Sequence, residues 1–242
     1  AVIRLLAGAG GLAGLSGLRR ALRGGAVWPG WSGRGPGVAG LLIYLFGFSA
    51  AYRALDAGLG ALILFGCVQI TMFAGAVLAR EAVPARRWQG AGLAFGGLAL
   101  LAAPGGSVVP LVPALMMAAA GAGWGVYSLA GRGARDALGA TATHFVLAVP
   151  VALAVALVVP MEASARGVAL AVLSGGVTSG LGYALWYAVL PELGAARAAV
   201  AQLTVPVIAA TGGLMLLDEP LGWRSAASAA LVLGGVAVAS RR

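Results

Sequence analysis

The chain of 242 residues is 61% hydrophobic and only 10% charged, with a net charge of +9 and a mean hydropathy of +0.97. A soluble domain carries about 25% charged residues, so this chain cannot cover a water-facing surface, and a bilayer is the solvent that suits it. All sixteen basic residues are arginines, scattered between apolar runs rather than set in a stripe with interleaved aromatics, which argues against nucleic acid as a partner. Cys67 is the one cysteine and His144 the one histidine. No metal, cofactor or catalytic residue is therefore expected. The chain opens AVIRLLAGAGG, already inside an apolar run. That opening lacks the basic start of a signal peptide and looks like a sequence whose beginning is left out.

In chain order, charge clusters and Gly/Pro punctuation divide the sequence into nine candidate spans. They cover 1–18, 37–55, 58–79, 88–103, 109–130, 138–159, 167–190, 198–217 and 223–240. Most reach the ~20 residues that cross a ~30 Å hydrocarbon layer. Helices are expected, because lipid cannot satisfy the peptide groups of open strands. With nine crossings, twelve arginines fall on one side, and Arg4, Arg53, Arg166 and Arg224 fall on the other. That bias predicts a cytoplasmic C-terminus in a cell inner (plasma) membrane.

The chain also repeats itself. A shift of 138 carries Glu81 onto Glu219 and Gly96-Gly97 onto Gly234-Gly235, and a shift of 135 carries Ala51-Tyr52 onto Trp186-Tyr187. Glu81 and Glu219 fall on opposite sides of the expected topology, which predicts an inverted repeat with an odd number of helices per unit. The units are expected at 1–104 and 105–242, with one helix missing before Ala1.

The segments GYALWYAVLPELGAARAAVAQLTVP and AQLTVPVIAATGGLMLLDEPLGW, with the weaker copy from Ala50 to Gly97 and the segment GAGWGVYSLAGR, resemble EamA-type members of the drug/metabolite transporter superfamily. The resemblance implies an all-α integral membrane protein of two inverted five-helix units. Nine transmembrane helices are seen here, with the family's first helix missing. It also implies a secondary transporter exporting amino acids or similar metabolites by alternating access, and no enzyme.

Several residues are expected to meet the solute. Pro206 removes a helical hydrogen bond, and Gln202 sits one turn earlier. The pair predicts a kinked helix lining a substrate path, against a plain packing kink. Tyr183, Trp186 and Tyr187 share one helical face, and Tyr44, Phe48 and Tyr52 share another. These faces offer stacking surface for a flat or amphipathic solute, with interfacial anchoring as the alternative for Tyr52 and Tyr187. Trp124 and Tyr127 form a similar pair, and Gln69 and Gln202 are among the few polar side chains within the spans. His144 could titrate near neutral pH or bond a neighbouring helix. All seven acids map to span ends or turns, which argues for movement down a gradient rather than carboxylate-coupled antiport. Glu81 and Glu219, each followed by proline, read as stop signals.

Gly10/Gly14, Gly92/Gly96, Gly121/Gly125 and Gly176/Gly180 are spaced for close helix approach. They would serve internal packing, a homodimer, or association with a larger membrane complex. Membrane lipid and a small-molecule solute are the expected partners. A serine protease built on Gly14-Leu15-Ser16-Gly17 and His144 is the least supported alternative. A structural, non-transporting subunit of a larger complex is the principal one.

Overall fold

The computed structural model describes residues 1–24, 34–80, 84–102, 109–159, 164–202, 204–218 and 222–240. Among these the secondary structure is helical, with no strand. The helices are α1 (Val2–Arg23), α2 (Arg34–Ala51), α3 (Ala57–Leu78), α4 (Ala85–Ala102), α5 (Leu111–Gly131) and α6 (Ala137–Val158). They continue with α7 (Ala165–Leu173), a π-helical segment (Ser174–Leu181), α8 (Gly182–Gln202), α9 (Thr204–Leu217) and α10 (Trp223–Ser240). Four stretches are long and apolar enough to cross a membrane: Ala57–Leu78, Leu111–Gly131, Ala137–Val158 and Ala165–Glu192. Leu157 is 89% exposed and Leu78 84%, a surface that water would penalise and lipid would not.

Helix boundaries follow local chemistry. The Asp136 carboxylate accepts the Gly139 N–H at 3.1 Å and caps α6, and the Ser164 hydroxyl accepts the Gly167 N–H at 3.1 Å and caps α7, each satisfying a donor that the first turn leaves open. Past the end of α9, Asp218 adopts a left-handed conformation with φ 54°, a backbone state that Asp tolerates better than most residues. The abrupt stop at LLDEP begins there, while Glu219 and its counterpart Glu81 lie outside the described residues.

One boundary departs from the sequence reading. A turn was expected between 190 and 198, yet α8 runs from Gly182 to Gln202 with Pro191 inside it. Proline deletes one hydrogen bond without obliging the helix to end, so punctuation by proline and charge misplaces this break. The π-helical segment was not anticipated.

The chain forms two compact units. The first comprises Ala1–Leu45 and Tyr127–Glu192, and the second Phe46–Val126 and Leu193–Arg242. In the first, α1 packs against α6, α7 and the π-helical segment. It runs antiparallel to α6: Arg19 bonds Asp136 at one end, and Gly8 faces Phe145 further along. It runs parallel to the π-helical segment, whose Gly175 meets the backbone of Arg4 and whose Gly180 meets Leu12. Gly175 and Gly180 are both buried, and their five-residue spacing matches the π-helical repeat that turns both toward α1. A side chain at Gly175 would run into the Arg4 carbonyl.

In the second unit, α3 contacts α4, α9 and α10, and α4 lies along α10. Gly90 abuts the Gly235 carbonyl and Ala239, Gly97 abuts Val232, and the Ser228 hydroxyl donates to the Gly97 carbonyl. Gly121 and Gly125 press onto α3 at Leu64, Cys67 and Thr71. Gly10, Gly14, Gly92, Gly96 and Gly176 have nothing within 4 Å of an added methyl. Of the four spaced glycine pairs, Gly121/Gly125 is thus the one with both members in tight contact.

Candidate functional site

The first unit gathers its polar and aromatic side chains into one cluster. α8 contributes Tyr183 and Tyr187, α5 contributes Tyr127, α6 contributes His144 and Phe145, and α2 contributes Tyr44. Tyr127 lies 4.6 Å from Tyr187, 5.6 Å from His144 and 6.0 Å from Tyr183 between ring centroids. Tyr183 also faces Tyr44 and Phe145, each at 6.0 Å. All six rings are buried. The Tyr187 hydroxyl donates to the Tyr127 carbonyl at 2.7 Å, so the spacing of α5 and α8 is set by a hydrogen bond as well as by stacking. Trp186, less buried, reaches Ser128 Oγ with its indole N–H at 3.3 Å.

At the edge of this cluster stands Arg4. Its Nε donates to Ser179 Oγ at 2.6 Å and its Nη2 to Tyr183 Oη at 2.9 Å, while the guanidinium lies 5.8 Å from the Tyr44 ring centre, within cation–π range. Ser179 and Tyr183 lie in the middle part of the apolar Ala165–Glu192 helix. The charge pattern had grouped Arg4 with Arg53, Arg166 and Arg224 at one end of the spans. The structure corrects this, setting Arg4 level with the interior of a span. Arg4 and Ser179 were absent from the expected solute contacts. The available signal was an arginine three residues into an apolar run, which reads as a span end only when its helix is considered alone.

Further along α1, Arg19 makes a bidentate ion pair with Asp136, with Nη1 to Oδ1 at 2.7 Å. The Arg19 hydrogen bonds, helped by the Gly139 N–H, hold the Asp136 carboxyl below its usual range.

The second unit holds the other expected residues. Trp124 donates to Gln202 Oε1 at 2.7 Å, and Gln202 Nε2 lies 3.8 Å from Met72 Sδ. Phe48 packs edge-on against Tyr52 at 4.6 Å, and the Tyr52 hydroxyl donates to the Ala57 carbonyl at 3.1 Å. Gln69 is partly exposed on α3. Pro206 falls in the first turn of α9 as described, and its side chain lies outside the described residues. Tyr44, Tyr127, His144, Tyr183 and Trp186 therefore belong to one unit, and Phe48, Gln69, Trp124, Gln202 and Pro206 to the other. Among the described residues no group of His, Cys, Asp or Glu could hold a metal ion.

Apolar helices with lipid-type surfaces, enclosing aromatic rings and a few hydrogen-bonded polar groups, define a multi-pass membrane protein. The EamA-like transporter family matches residues 111–241, more than half of the chain, and this protein belongs to that family. It is 44% identical over 240 residues to the uncharacterized protein PA1977 of Pseudomonas aeruginosa, covering 98% of this chain and 81% of the relative. An uncharacterized transporter of Archaeoglobus fulgidus is 41% identical over 61 residues, or 25% of this chain and 22% of its own length. A protein of known crystal structure superposes with a TM-score of 0.67 at 23% identity, over 99% of this chain and 89% of its own. At that identity the likeness is one of fold.

Proposed function

We propose that the protein is a secondary transporter exporting amino acids or similar small metabolites across the inner (plasma) membrane by alternating access. The observation that carries this reading is the buried cluster of Tyr44, Tyr127, His144 and Tyr183 inside an apolar chain of a transporter family. Rings of this kind offer stacking surface to a small solute. Trp186 supplies a further contact in that unit; for the second unit, taken by itself, Phe48, Gln69, Trp124 and Gln202 are the proposed solute contacts, with a kink at Pro206. Nine crossings arranged as inverted repeats at 1–104 and 105–242 place the C-terminus in the cytoplasm. With Arg4 removed from the outer count, the arginine bias behind that orientation becomes twelve to three.

The test is uptake of a broad panel of labelled amino acids into proteoliposomes, with Trp186→Ala and Gln202→Ala beside the wild type. Saturable wild-type flux that both substitutions reduce supports the reading. Wild-type flux no faster than empty vesicles overturns it.

A further inference from the structure

We infer that the end of the second unit where α3 stops and α4 starts binds the headgroup of an anionic phospholipid, with Arg80 and Arg86 as its cations and Trp88 alongside. The inference needs the membrane setting and is independent of what the protein carries.

Backbone conformation singles out Arg80. It follows α3 with φ 55°, in the left-handed region, and its N–H donates to the Val77 carbonyl at 2.9 Å. Just past a helix end such a position usually holds glycine, and side chains other than Asn or Asp are disfavoured there. The chain has forty glycines, yet an arginine stands here. The shift of 138 that carries Glu81 onto Glu219 also carries Arg80 onto Asp218, whose φ of 54° is almost the same. Both copies stop their helix in one backbone state, but Asp tolerates that state and Arg does not. Strain kept at such a point speaks for a use of the side chain.

A cation past the end of α3 suits the dipole of that helix. The same account does not cover α4, whose first turn holds Arg86 and Arg87 and no acid, where the dipole favours negative charge. From Val77 to Trp88 the three arginines face a single acid in the sequence, Glu81. α10 runs antiparallel to α4, since Gly90 meets Ala239 and Gly97 meets Ser228, and the sequence continues past Ser240 with Arg241 and Arg242. Positive charge is thus gathered at this end at a local cost to both α3 and α4, and a bound anion would relieve it. The planar N–H fork of arginine fits a phosphate bidentately.

The adjoining surface selects a lipid over a dissolved anion. Val77 and Leu78 are exposed two to three residues before Arg80, and Trp88 is exposed two residues after Arg86. Both helices therefore pass from apolar to cationic within a few residues, the profile of the boundary between hydrocarbon and headgroups, where tryptophan is enriched. Phe73 on α3 meets Trp88 edge-on at 4.9 Å between ring centroids, which holds the indole against α3. A phosphodiester beside the guanidinium groups would lay its acyl chains along Val77 and Leu78, a contact that free phosphate cannot make.

The test uses purified full-length protein in dodecyl maltoside micelles, with labelled phosphatidylglycerol as the probe. Phosphatidylcholine, glycerol 3-phosphate and inorganic phosphate serve as competitors. Wild type should bind phosphatidylglycerol saturably and about tenfold more tightly than phosphatidylcholine. An arginine near an anionic lipid surface contributes about fivefold in affinity, so Arg80→Gln and Arg86→Gln should each weaken binding by about that factor. Arg20→Gln, which removes an exposed arginine of the first unit, should leave binding unchanged. Arg80→Gly separates binding from folding. Glycine suits the backbone there, so the thermal midpoint of this variant in lipid-free micelles should equal or exceed that of wild type, while its affinity falls as in Arg80→Gln. Equal affinity for the two lipids overturns the inference, as do losses from Arg80→Gln and Arg86→Gln no larger than that from Arg20→Gln. A lowered midpoint of Arg80→Gly with undiminished lipid binding also overturns it, by making Arg80 a helix cap. Displacement of the probe by glycerol 3-phosphate or inorganic phosphate at concentrations equal to that of the lipid overturns it too, by assigning the cluster to a dissolved phosphate.

Discussion

Trp124 on α5 and Gln202 at the end of α8 are 78 residues apart, yet the indole N–H donates to the amide oxygen at 2.7 Å with both groups buried. In lipid no water replaces a lost acceptor. Gln202→Leu should therefore lower stability by about 1–3 kcal/mol, the cost of a bare buried donor. Trp124→Phe removes that donor, so the double substitution should cost less than the sum of the singles. The coupling should be on the order of 0.6 kcal/mol, typical of hydrogen bonds between membrane helices. Unfolding in mixed micelles measures all four proteins. Strict additivity would mean that the bond does not stabilise the fold.

The Arg19–Asp136 pair predicts a pH dependence with a definite sign. Asp136 titrates below its ordinary range because Arg19 and the Gly139 N–H favour its charged form. Its contribution should thus be complete above the unfolded value of about 3.9, and lost as pH falls through the lower folded value. Asp136→Asn keeps a capping side chain and removes the charge. For a partly exposed pair the expected cost near neutral pH is about 0.5 kcal/mol. Asp136→Ala should cost about 1 kcal/mol more through the lost cap. The gap between wild type and Asp136→Asn should close below about pH 4. A gap that widens in acid would contradict the assignment.

How far the sequence could be read depended on what each inference required. Where an apolar run alone decides the outcome, as in α3, α5 and α6, expected and observed helices agree within a few residues, because a helix satisfies its own peptide groups in lipid. Pro191 misled because proline lowers the stability of a helix without dictating its end. The π-helical segment left no mark, since Ser174–Leu181 is made mostly of small residues, two of which pack against the neighbouring α1. The shared face of Tyr183 and Tyr187 follows from their spacing, but their meeting with Tyr44, Tyr127 and His144 depends on which helices adjoin. Arg4 was missed for the same reason, since depth along one helix means little until the partner helix is known.

Glycine spacing gives a paired prediction. Gly90 and Gly92 both lie in α4, two residues apart and therefore on different faces. A methyl at Gly90 would strike the Gly235 carbonyl and come within 2.6 Å of the Ala239 Cβ, whereas one at Gly92 would meet nothing within 4 Å. The obstruction at Gly90 includes backbone and cannot rotate away. Gly90→Ala should cost about 1–3 kcal/mol through overpacking. Gly92→Ala should be neutral or gain up to about 1 kcal/mol from helix propensity. Thermal midpoints in detergent compare them, and equal effects at the two positions would contradict the described contact of α4 with α10.

Tyr187 and Trp186 are neighbours on α8 with different duties, and their substitutions should separate stability from transport. The Tyr187 ring is fully buried, and its hydroxyl donates to the Tyr127 carbonyl at 2.7 Å. Tyr187→Phe should lower stability by about 1 kcal/mol, the net worth of such a bond. Trp186 is less buried and holds Ser128 through a longer bond of 3.3 Å. Trp186→Phe should therefore change stability by less than about 0.5 kcal/mol. If Trp186 meets the solute, Trp186→Phe should keep part of the stacking surface that Trp186→Ala loses, and flux should fall in the order wild type, Phe, Ala. Thermal midpoints and proteoliposome flux on the same preparations test the separation. Should Trp186→Ala reduce flux only in proportion to lost folded protein, Trp186 is a packing residue and leaves the set of solute contacts.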